Sequence, residues 1–128
     1  MAGIRLTKFE MQIMDTVWTR REASIREMQE AFKAKKRPGY TTVQKMVYRM
    51  EAKKVLRRAR KVGNFHVFAP MVSRESVERK LIDDLLAIFG GNSRPVIAHL
   101  IGARKLTLED VEFAEATLKQ TKEGDRGR

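Results

Sequence analysis

The chain has 128 residues, contains no cysteine and carries a formal net charge of +11 at pH 7. The absence of cysteine excludes disulfides and thiolate metal sites, and the longest apolar runs are too short to cross a bilayer. The first residues also lack the apolar stretch of a signal peptide, so we expect a cytoplasmic protein with no membrane partner.

The positive charge is concentrated in the first part of the sequence. Residues 1–70 contain 17 Lys or Arg and 6 Asp or Glu, whereas residues 71–128 contain 10 of each. A strongly basic region attracts polyanions. Because the basic residues span several predicted elements rather than one amphipathic helix, their distribution favours nucleic acid over an anionic membrane surface.

A helix is predicted directly after a loose arm at residues 1–5. Thr7 and Glu10 form a T-x-x-E capping box, and the helical pattern continues to about Arg20. Trp18 lies on the apolar stripe of this helix, so we interpret it as a core anchor rather than a ligand-stacking residue. The apolar stripe comprises Phe9, Ile13, Met14, Val17 and Trp18.

Two further capping boxes predict a second and a third helix with a turn between them. Ser24 with Glu27 marks the second helix, Pro-Gly at residues 38–39 marks the turn, and Thr41 with Gln44 marks the third helix. The buried face of the third helix is then predicted to carry Val43, Met46, Val47 and Met50.

The opposite face of the third helix carries hydroxyl, amide and cationic side chains. Short donors near a helix start and long cations further on suit the major groove of DNA, although an ordinary solvated helix face looks similar. We expect Thr42, Gln44 and Lys45 to contact base edges. Tyr40, before the helix, either contacts phosphate or forms a hydrophobic staple. The candidate DNA-binding residues of this helix are Thr41, Thr42, Gln44, Lys45, Tyr48, Arg49 and Lys53.

A β-hairpin is predicted over residues 55–70, with its turn at Gly63-Asn64. No acid lies between residues 53 and 73, so the hairpin cations have no local partner and we expect at least two of them to contact phosphate or the minor groove. A cationic hairpin after a polar-faced helix predicts a winged helix-turn-helix that binds DNA. The candidate DNA-binding residues of the hairpin are Arg57, Arg58, Arg60 and Lys61.

The second half of the chain predicts three more helices. The predicted N-cap is Ser73 for the fourth helix, Asn92 or Ser93 for the fifth and Thr107 for the sixth. A Gly-Gly pair at residues 90–91 ends the fourth helix. A segment of this length buries its core poorly when alone. We therefore expect these helices to pair with those of a second copy rather than to pack against the first half of the same chain. The candidate dimer-interface residues are Leu81, Leu85, Leu86, Phe89 and Leu118.

The predicted fold is mainly α, a winged helix-turn-helix followed by a three-helix dimerisation region. Its predicted parts are a DNA-binding domain at residues 1–71, a dimerisation domain at 72–122 and a frayed tail at 123–128. Two such chains would bind a dyad-symmetric operator in double-stranded DNA. The alternatives are a nucleoid-type protein that binds DNA without sequence choice, and a winged helix that binds RNA or protein.

The residues that an enzyme would need do not occur together in the sequence. His66 and His99 are 33 positions apart, and the sequence has no Gly-rich phosphate loop and no H-E-x-x-H motif. His66 fits a half-exposed strand position without a chemical role. We therefore expect a binding protein that is not an enzyme and has no metal or other cofactor.

Three motifs occur in order: LTKFEMQIMDTVW from Leu6, YTTVQKMVYRMEAKKVLRR from Tyr40, and FHVFAP from Phe65. Together they resemble the penicillinase repressor (BlaI/MecI) family, which also includes copper-responsive repressors. The resemblance extends from about Leu6 to Leu118 and is closest in the first 70 residues. It implies a dimeric bacterial repressor with an N-terminal winged helix and a C-terminal helical dimerisation region.

The sequence departs from this family at two sites of regulation. Copper-responsive members carry cysteine pairs near the C-terminus, and this chain has none, which excludes metal release by that route. Antibiotic-responsive members are inactivated by proteolysis between an Asn and a Phe. The matching bond here joins His99 to Leu100, which argues against a similar sensor protease as a partner.

Overall fold

A computed structural model describes residues 5–126, with side chains described as far as residue 122. The loose arm expected at the N-terminus therefore lies outside the described residues, apart from Arg5. The elements are α1 (Lys8–Arg20), β1 (Ala23–Ser24), α2 (Ile25–Glu30), α3 (Tyr40–Ala52), β2 (Leu56–Val62), β3 (Phe65–Pro70), α4 (Arg74–Ile88), α5 (Arg94–Gly102) and α6 (Leu108–Arg126), with a 3₁₀ turn at Ala34–Lys36. The predicted architecture, a winged helix-turn-helix followed by a helical region, is confirmed.

Capping boxes mark the starts of α1, α2 and α6, at the cap residues Thr7, Ser24 and Thr107 that the sequence predicted. In each box the side chain of the cap residue accepts from the backbone N–H three positions later, and the acid there accepts from the backbone N–H of the cap. The hydrogen bonds are 2.9–3.2 Å long. The pairs are Thr7 with Glu10, Ser24 with Glu27, and Thr107 with Asp110.

The start of α3 differs from the prediction. The helix begins at Tyr40, Gly39 occupies the cap position, and no side chain caps it. A capping side chain must belong to the non-helical residue before the helix, and Thr41 is already helical, so the predicted box of Thr41 with Gln44 is wrong. Tyr40 is the first residue of the helix rather than its predecessor, which excludes the hydrophobic staple.

The three strands form an antiparallel sheet in the order β1-β3-β2. β2 and β3 are the predicted hairpin, here called the wing, and its turn is Gly63-Asn64, where Gly63 has a φ of +59°. The two-residue strand β1 pairs with β3 on the side away from β2, with Ala23 opposite Phe68. This pairing attaches the wing to the segment between α1 and α2.

Strand β2 contains a β-bulge at Ala59. Arg58 lies opposite Phe68 and Arg60 lies opposite Val67, so two steps along β2 match one step along β3. Neighbouring residues of β3 face opposite sides of the sheet. The bulge therefore places Arg58 and Arg60 on opposite faces, whereas their spacing in a regular strand would place them on the same face.

The core of the winged helix lies between α1, α2, α3 and the sheet. Burial of an aliphatic or aromatic side chain of this size contributes about 1.5–3 kcal/mol. Its largest fully buried side chains are Phe68, Ile13, Met14, Met28, Met50, Leu56, Val17, Val43, Val47 and Val55. This core fixes α3 by its apolar stripe and leaves the polar face of the helix outside.

Trp18 joins α1 to the segment that leads into α4. It packs against the edge of the core, and its Nε1–H donates to the carbonyl oxygen of Val72 at 2.9 Å. The guanidinium carbon of Arg74 lies 5.0 Å from the ring centroid, and Arg74 also pairs with Asp15 at 2.8 Å. These contacts agree with the structural role that the sequence predicted for Trp18.

The chain divides into two compact units, Met1–Asp84 and Leu85–Arg128. In the first unit, Val77 of α4 is buried in the core and Leu81 packs against it. The early turns of α4 thus contact the winged helix, and the predicted boundary between residues 71 and 72 stays a prediction. In the second unit, no side chain from residue 85 to residue 122 is buried.

The helix ends in the second unit follow the expected signals in part. Gly90 and Gly91 have positive φ angles, and the N–H of Gly91 donates to the carbonyl of Leu86 at 2.8 Å, which ends α4 as predicted. Asn92 accepts from the backbone N–H of Arg94 at 3.1 Å before α5. Helix α6 continues to residue 126, so it overlaps the predicted tail at 123–128, whose last two residues lie outside the described part.

Candidate nucleic-acid interface

The outer face of α3 presents most of the predicted DNA-binding residues to solvent. Val43, Val47 and Met50 are fully buried and hold the opposite face of the helix against the core. Gln44 is half-buried at one edge of the outer face. The exposed residues are Thr41, Thr42, Lys45, Tyr48 and Arg49. The structure therefore brings this predicted set together on one helix surface.

One edge of α3 faces the wing across a cleft of about 300 Å³. Residues of β1, α2, α3 and the wing line it, and its polar lining is Ser24, Arg26, Tyr40, Gln44, Tyr48, Asn64 and His66. His66 is half-buried there, as its strand position predicted. The hydroxyl of Tyr48 accepts a hydrogen bond from Nε2 of Gln44 at 3.1 Å, so two predicted DNA-binding residues contact each other.

The other edge of α3 faces α1, and Lys53 is held there by an acid. Nζ of Lys53 lies 2.7 Å from Oε2 of Glu10, whose side chain is only 4% exposed. Burial acts to raise the pKa of Glu10, but hydrogen bonds from Lys53 and Thr7 outweigh burial and hold that pKa below its ordinary value of 4.5. Lys53 therefore neutralises a buried carboxylate, and we leave it out of the proposed DNA contacts.

The four cations of the wing divide into two pairs. Arg58 lies 2.9 Å from Glu51 of α3, and Arg60 lies 2.6 Å from Glu22 of the loop after α1. The sequence has no acid between residues 53 and 73, but folding brings Glu51 and Glu22 from other elements next to the wing. Arg57 and Lys61 are exposed and have no acidic partner within residues 5–122.

The turn between α2 and α3 carries cations that the predicted set did not include. Lys36 lines a shallow groove with Lys8 and Thr42 at the start of α3. Arg37, by contrast, donates to the backbone carbonyls of Glu30 and Phe32 and so fixes the turn. The basic run at residues 33–37 was the available signal, but sequence does not distinguish its structural arginine from its exposed lysines.

Two other kinds of site have no support in the part of the chain that the structure describes. No group of three or more His, Asp or Glu side chains could hold a metal ion there. None of the helices in residues 5–126 is long and apolar enough to cross a membrane. The bond between His99 and Leu100, which the sequence analysis matched to the cleavage site of antibiotic-responsive members, lies inside α5.

A buried three-helix core, a hairpin wing and an exposed polar face on α3 together define the winged helix-turn-helix class. A family model described as penicillinase repressor matches residues 6–120, and the chain belongs to this family of transcriptional repressors. The transcriptional regulator BlaI from two strains of Mycobacterium tuberculosis is 29% identical over 100 residues, which are 76% of this chain and 72% of that protein. The resemblance inferred from the sequence motifs is confirmed.

Proposed function

We propose that the protein acts as a homodimer in the bacterial cytoplasm and represses transcription by binding a dyad-symmetric operator. In this proposal α3 enters the major groove. Thr42, Gln44 and Lys45 contact base edges and Thr41 supports them. The observation that carries the proposal is the exposed polar face of α3, held outward by three fully buried side chains and bordered by a cationic wing.

The wing supplies affinity through its two cations without acidic partners. Arg57 and Lys61 extend from a hairpin directly beside α3, where the backbone of a bound duplex would pass. Phosphate contacts of this kind position a protein on DNA without reading bases. Arg60 is already neutralised by Glu22 and contributes less to this attraction.

The second unit supports dimerisation because its apolar side chains are uncovered. Within residues 85–122, nine large hydrophobic residues are between 42% and 81% exposed in the single chain, and Leu86 is half-buried. So many exposed large apolar side chains in one segment are unusual on a monomer and are typical of an interface. Leu85, Leu86, Phe89 and Leu118 form the proposed centre of contact. Leu81 packs on the core of the first unit, and we leave it out.

Two joined copies would extend the recognised DNA. A single winged helix contacts few base pairs, whereas a two-fold dimer contacts two half-sites about 34–36 Å apart or a multiple of that distance. The proposal therefore requires an operator with dyad symmetry. The neutral second half of the sequence suits self-association better than the basic first half, which would repel its copy.

A gel-shift comparison of promoter DNA from its own locus, random DNA and RNA tests the function. We expect the promoter to bind most tightly. Gln44→Ala should cost about 1–3 kcal/mol at the operator and relax choice at one base pair. Gln12→Ala, which removes an exposed amide from α1, is the matched control. Equal affinity for promoter and random DNA would favour a nucleoid-type protein, and tighter binding to RNA would contradict the proposal.

A further inference from the structure

Arg58 makes three contacts that hold it against α3 rather than leaving it extended toward solvent. Its Nε donates to Oε2 of Glu51 at 2.9 Å. Its guanidinium carbon lies 5.4 Å from the ring centroid of Tyr48 and 5.8 Å from that of Phe68. Because Phe68 is 1% exposed, one of these contacts rests on the fixed core. Arg58 is therefore a cation from the wing that the helix and the core hold in place.

Tyr48 extends this set of contacts to Gln44. The two residues are one helical turn apart, and Glu51 lies a further turn along the same edge of α3. Nε2 of Gln44 donates to the hydroxyl of Tyr48 at 3.1 Å. The contacts thus run without a break from the wing, through Arg58 and Tyr48, to the side chain proposed to contact a base.

The hydrogen bond to Tyr48 decides what Gln44 can still offer. A glutamine amide has two N–H donors and one carbonyl acceptor. One N–H is used on Tyr48, which leaves one N–H and the carbonyl oxygen. A bidentate contact to adenine needs one donor for N7 and one acceptor for the N6 amino group. Tyr48 therefore holds the amide in the form that suits adenine.

The bulge at Ala59 separates Arg58 from Arg60. It places Arg58 on the sheet face of Phe68, and Arg60 on the other face, where Arg60 pairs with Glu22. The two arginines are close in sequence but have different surroundings.

We propose that Arg58 is a positioning residue for sequence recognition: it orients Tyr48, and through Tyr48 it holds Gln44 in the amide orientation that selects adenine. The wing then contributes to sequence choice without touching a base. This inference rests on the proposed function, in which Gln44 contacts a base pair. It adds a residue that acts through others to the set of residues that contact DNA.

Arg58→Lys tests the proposal because it keeps the positive charge and removes the planar guanidinium that stacks and donates through Nε. Arg21→Lys is the matched control, since Arg21 is exposed in the loop after α1 and lies outside the proposed DNA contacts. Affinities are measured for the operator, for operators changed at the base pair that Gln44→Ala identifies, and for random DNA across a salt series. We expect Arg58→Lys to lose about tenfold in discrimination at that base pair. Random-DNA affinity and the salt slope should stay as in wild type.

Two further variants separate positioning from general loss of structure. Tyr48→Phe keeps the ring for stacking and removes the hydroxyl, so it should lose discrimination at the same base pair. Combining Gln44→Ala with Arg58→Lys should cost no more discrimination than Gln44→Ala alone, because both changes act on one contact. Thermal unfolding of each variant verifies that it is folded. If Arg58→Lys does not fold, the discrimination measured for Tyr48→Phe tests the proposal instead.

Three results would overturn the proposal. If Arg58→Lys and Tyr48→Phe both keep full discrimination, Arg58 does not position Gln44. If Arg58→Lys weakens operator and random DNA equally and flattens the salt dependence, Arg58 is a phosphate contact. If Gln44→Ala itself leaves specificity unchanged, the base contact in the proposed function is wrong, and this inference fails with it.

Discussion

Lys53 at the end of α3 and Glu10 in the first turn of α1 form an ion pair across 43 positions of sequence, with 2.7 Å between Nζ and Oε2. The same carboxylate accepts the backbone N–H of Thr7 in the capping box of α1. One nearly buried acid therefore joins the start of α1 to the end of α3. This contact helps to set the angle at which the outer face of α3 is presented.

Replacing Lys53 with methionine should destabilise the fold. The substitution leaves the Glu10 carboxylate almost buried without its cation, and the loss of a charge-assisted hydrogen bond costs about 1.5–3 kcal/mol. Urea unfolding measures the change as a lower midpoint. Lys45→Met, on the exposed face of the same helix, is the control and should stay within about 0.5 kcal/mol of wild type. Equal midpoints for the two variants would exclude a structural role for Lys53.

Stability should fall at acid pH in a way that depends on Glu10. The pKa of Glu10 is lower in the folded protein than its ordinary value of 4.5, so folding favours the ionised carboxylate. This contribution is present above that value and is lost as pH falls through the lower, folded-state pKa. The pKa of Glu27 is also lowered, mainly because its carboxylate accepts a hydrogen bond from the backbone N–H of Ser24, so its contribution to stability is lost at acid pH in the same way.

The variant that checks this pH dependence is Glu10→Gln. It should be less stable than wild type at neutral pH and should approach wild-type stability as pH falls below about 4.5. Urea unfolding over a pH series measures the difference. Glu30→Gln, an exposed residue without a salt-bridge partner in residues 5–122, should follow the wild-type profile. Parallel curves for Glu10→Gln and wild type would rule out the linkage.

Removing the two unpaired wing cations should weaken binding to every DNA sequence. Arg57→Ala with Lys61→Ala deletes the charges that have no acidic partner among the described residues, so operator and random-DNA affinities should fall together. The slope of log affinity against log salt should decrease by about one unit for each lost phosphate contact. Arg60→Ala is the control and should change the slope less, because Glu22 already holds Arg60. A loss confined to the operator would instead mean that the wing contacts bases.

Leu85→Asp should shift the proposed dimer toward monomer. It places a charge without a partner at an apolar interface, and several kcal/mol are at stake. Sedimentation of wild type and variant over a concentration series measures the shift. Ser76→Asp adds the same charge at an exposed position near the start of α4 and should leave the assembly unchanged. A wild-type protein that stays monomeric at tens of micromolar, roughly above the range where a tight interface assembles, contradicts the proposal.

Much of the fold was predictable because its signals are local. Capping boxes and apolar spacing located α1 and α2, and Gly63-Asn64 located the turn of the wing. The start of α3 was misplaced because Thr41 and Gln44 match the spacing of a box that the backbone does not form. Strand β1 was missed because two residues are too few to show a period.

The candidate site was predictable as a surface but not in its internal pairing. Helical spacing was sufficient to place Thr42 and Lys45 outside. The partners of Lys53 and Arg60 are 43 and 38 positions away in sequence, and only the folded chain brings such charges together. Sequence reasoning treated all these cations as equivalent, whereas the fold neutralises some and leaves others available.

The extra residue in β2 makes the wing tolerant of one change in chain length that an alignment would score as a defect. Deleting Ala59 would leave every cation of the wing in the sequence and would score as a single gap. If the pairing of β3 were kept, Arg58 would stay opposite Phe68 and Arg60 opposite Val67, so both arginines would keep their present faces in a regular strand. The charge pattern of this hairpin thus depends on which residue of β3 each arginine pairs with, and not on Ala59 itself.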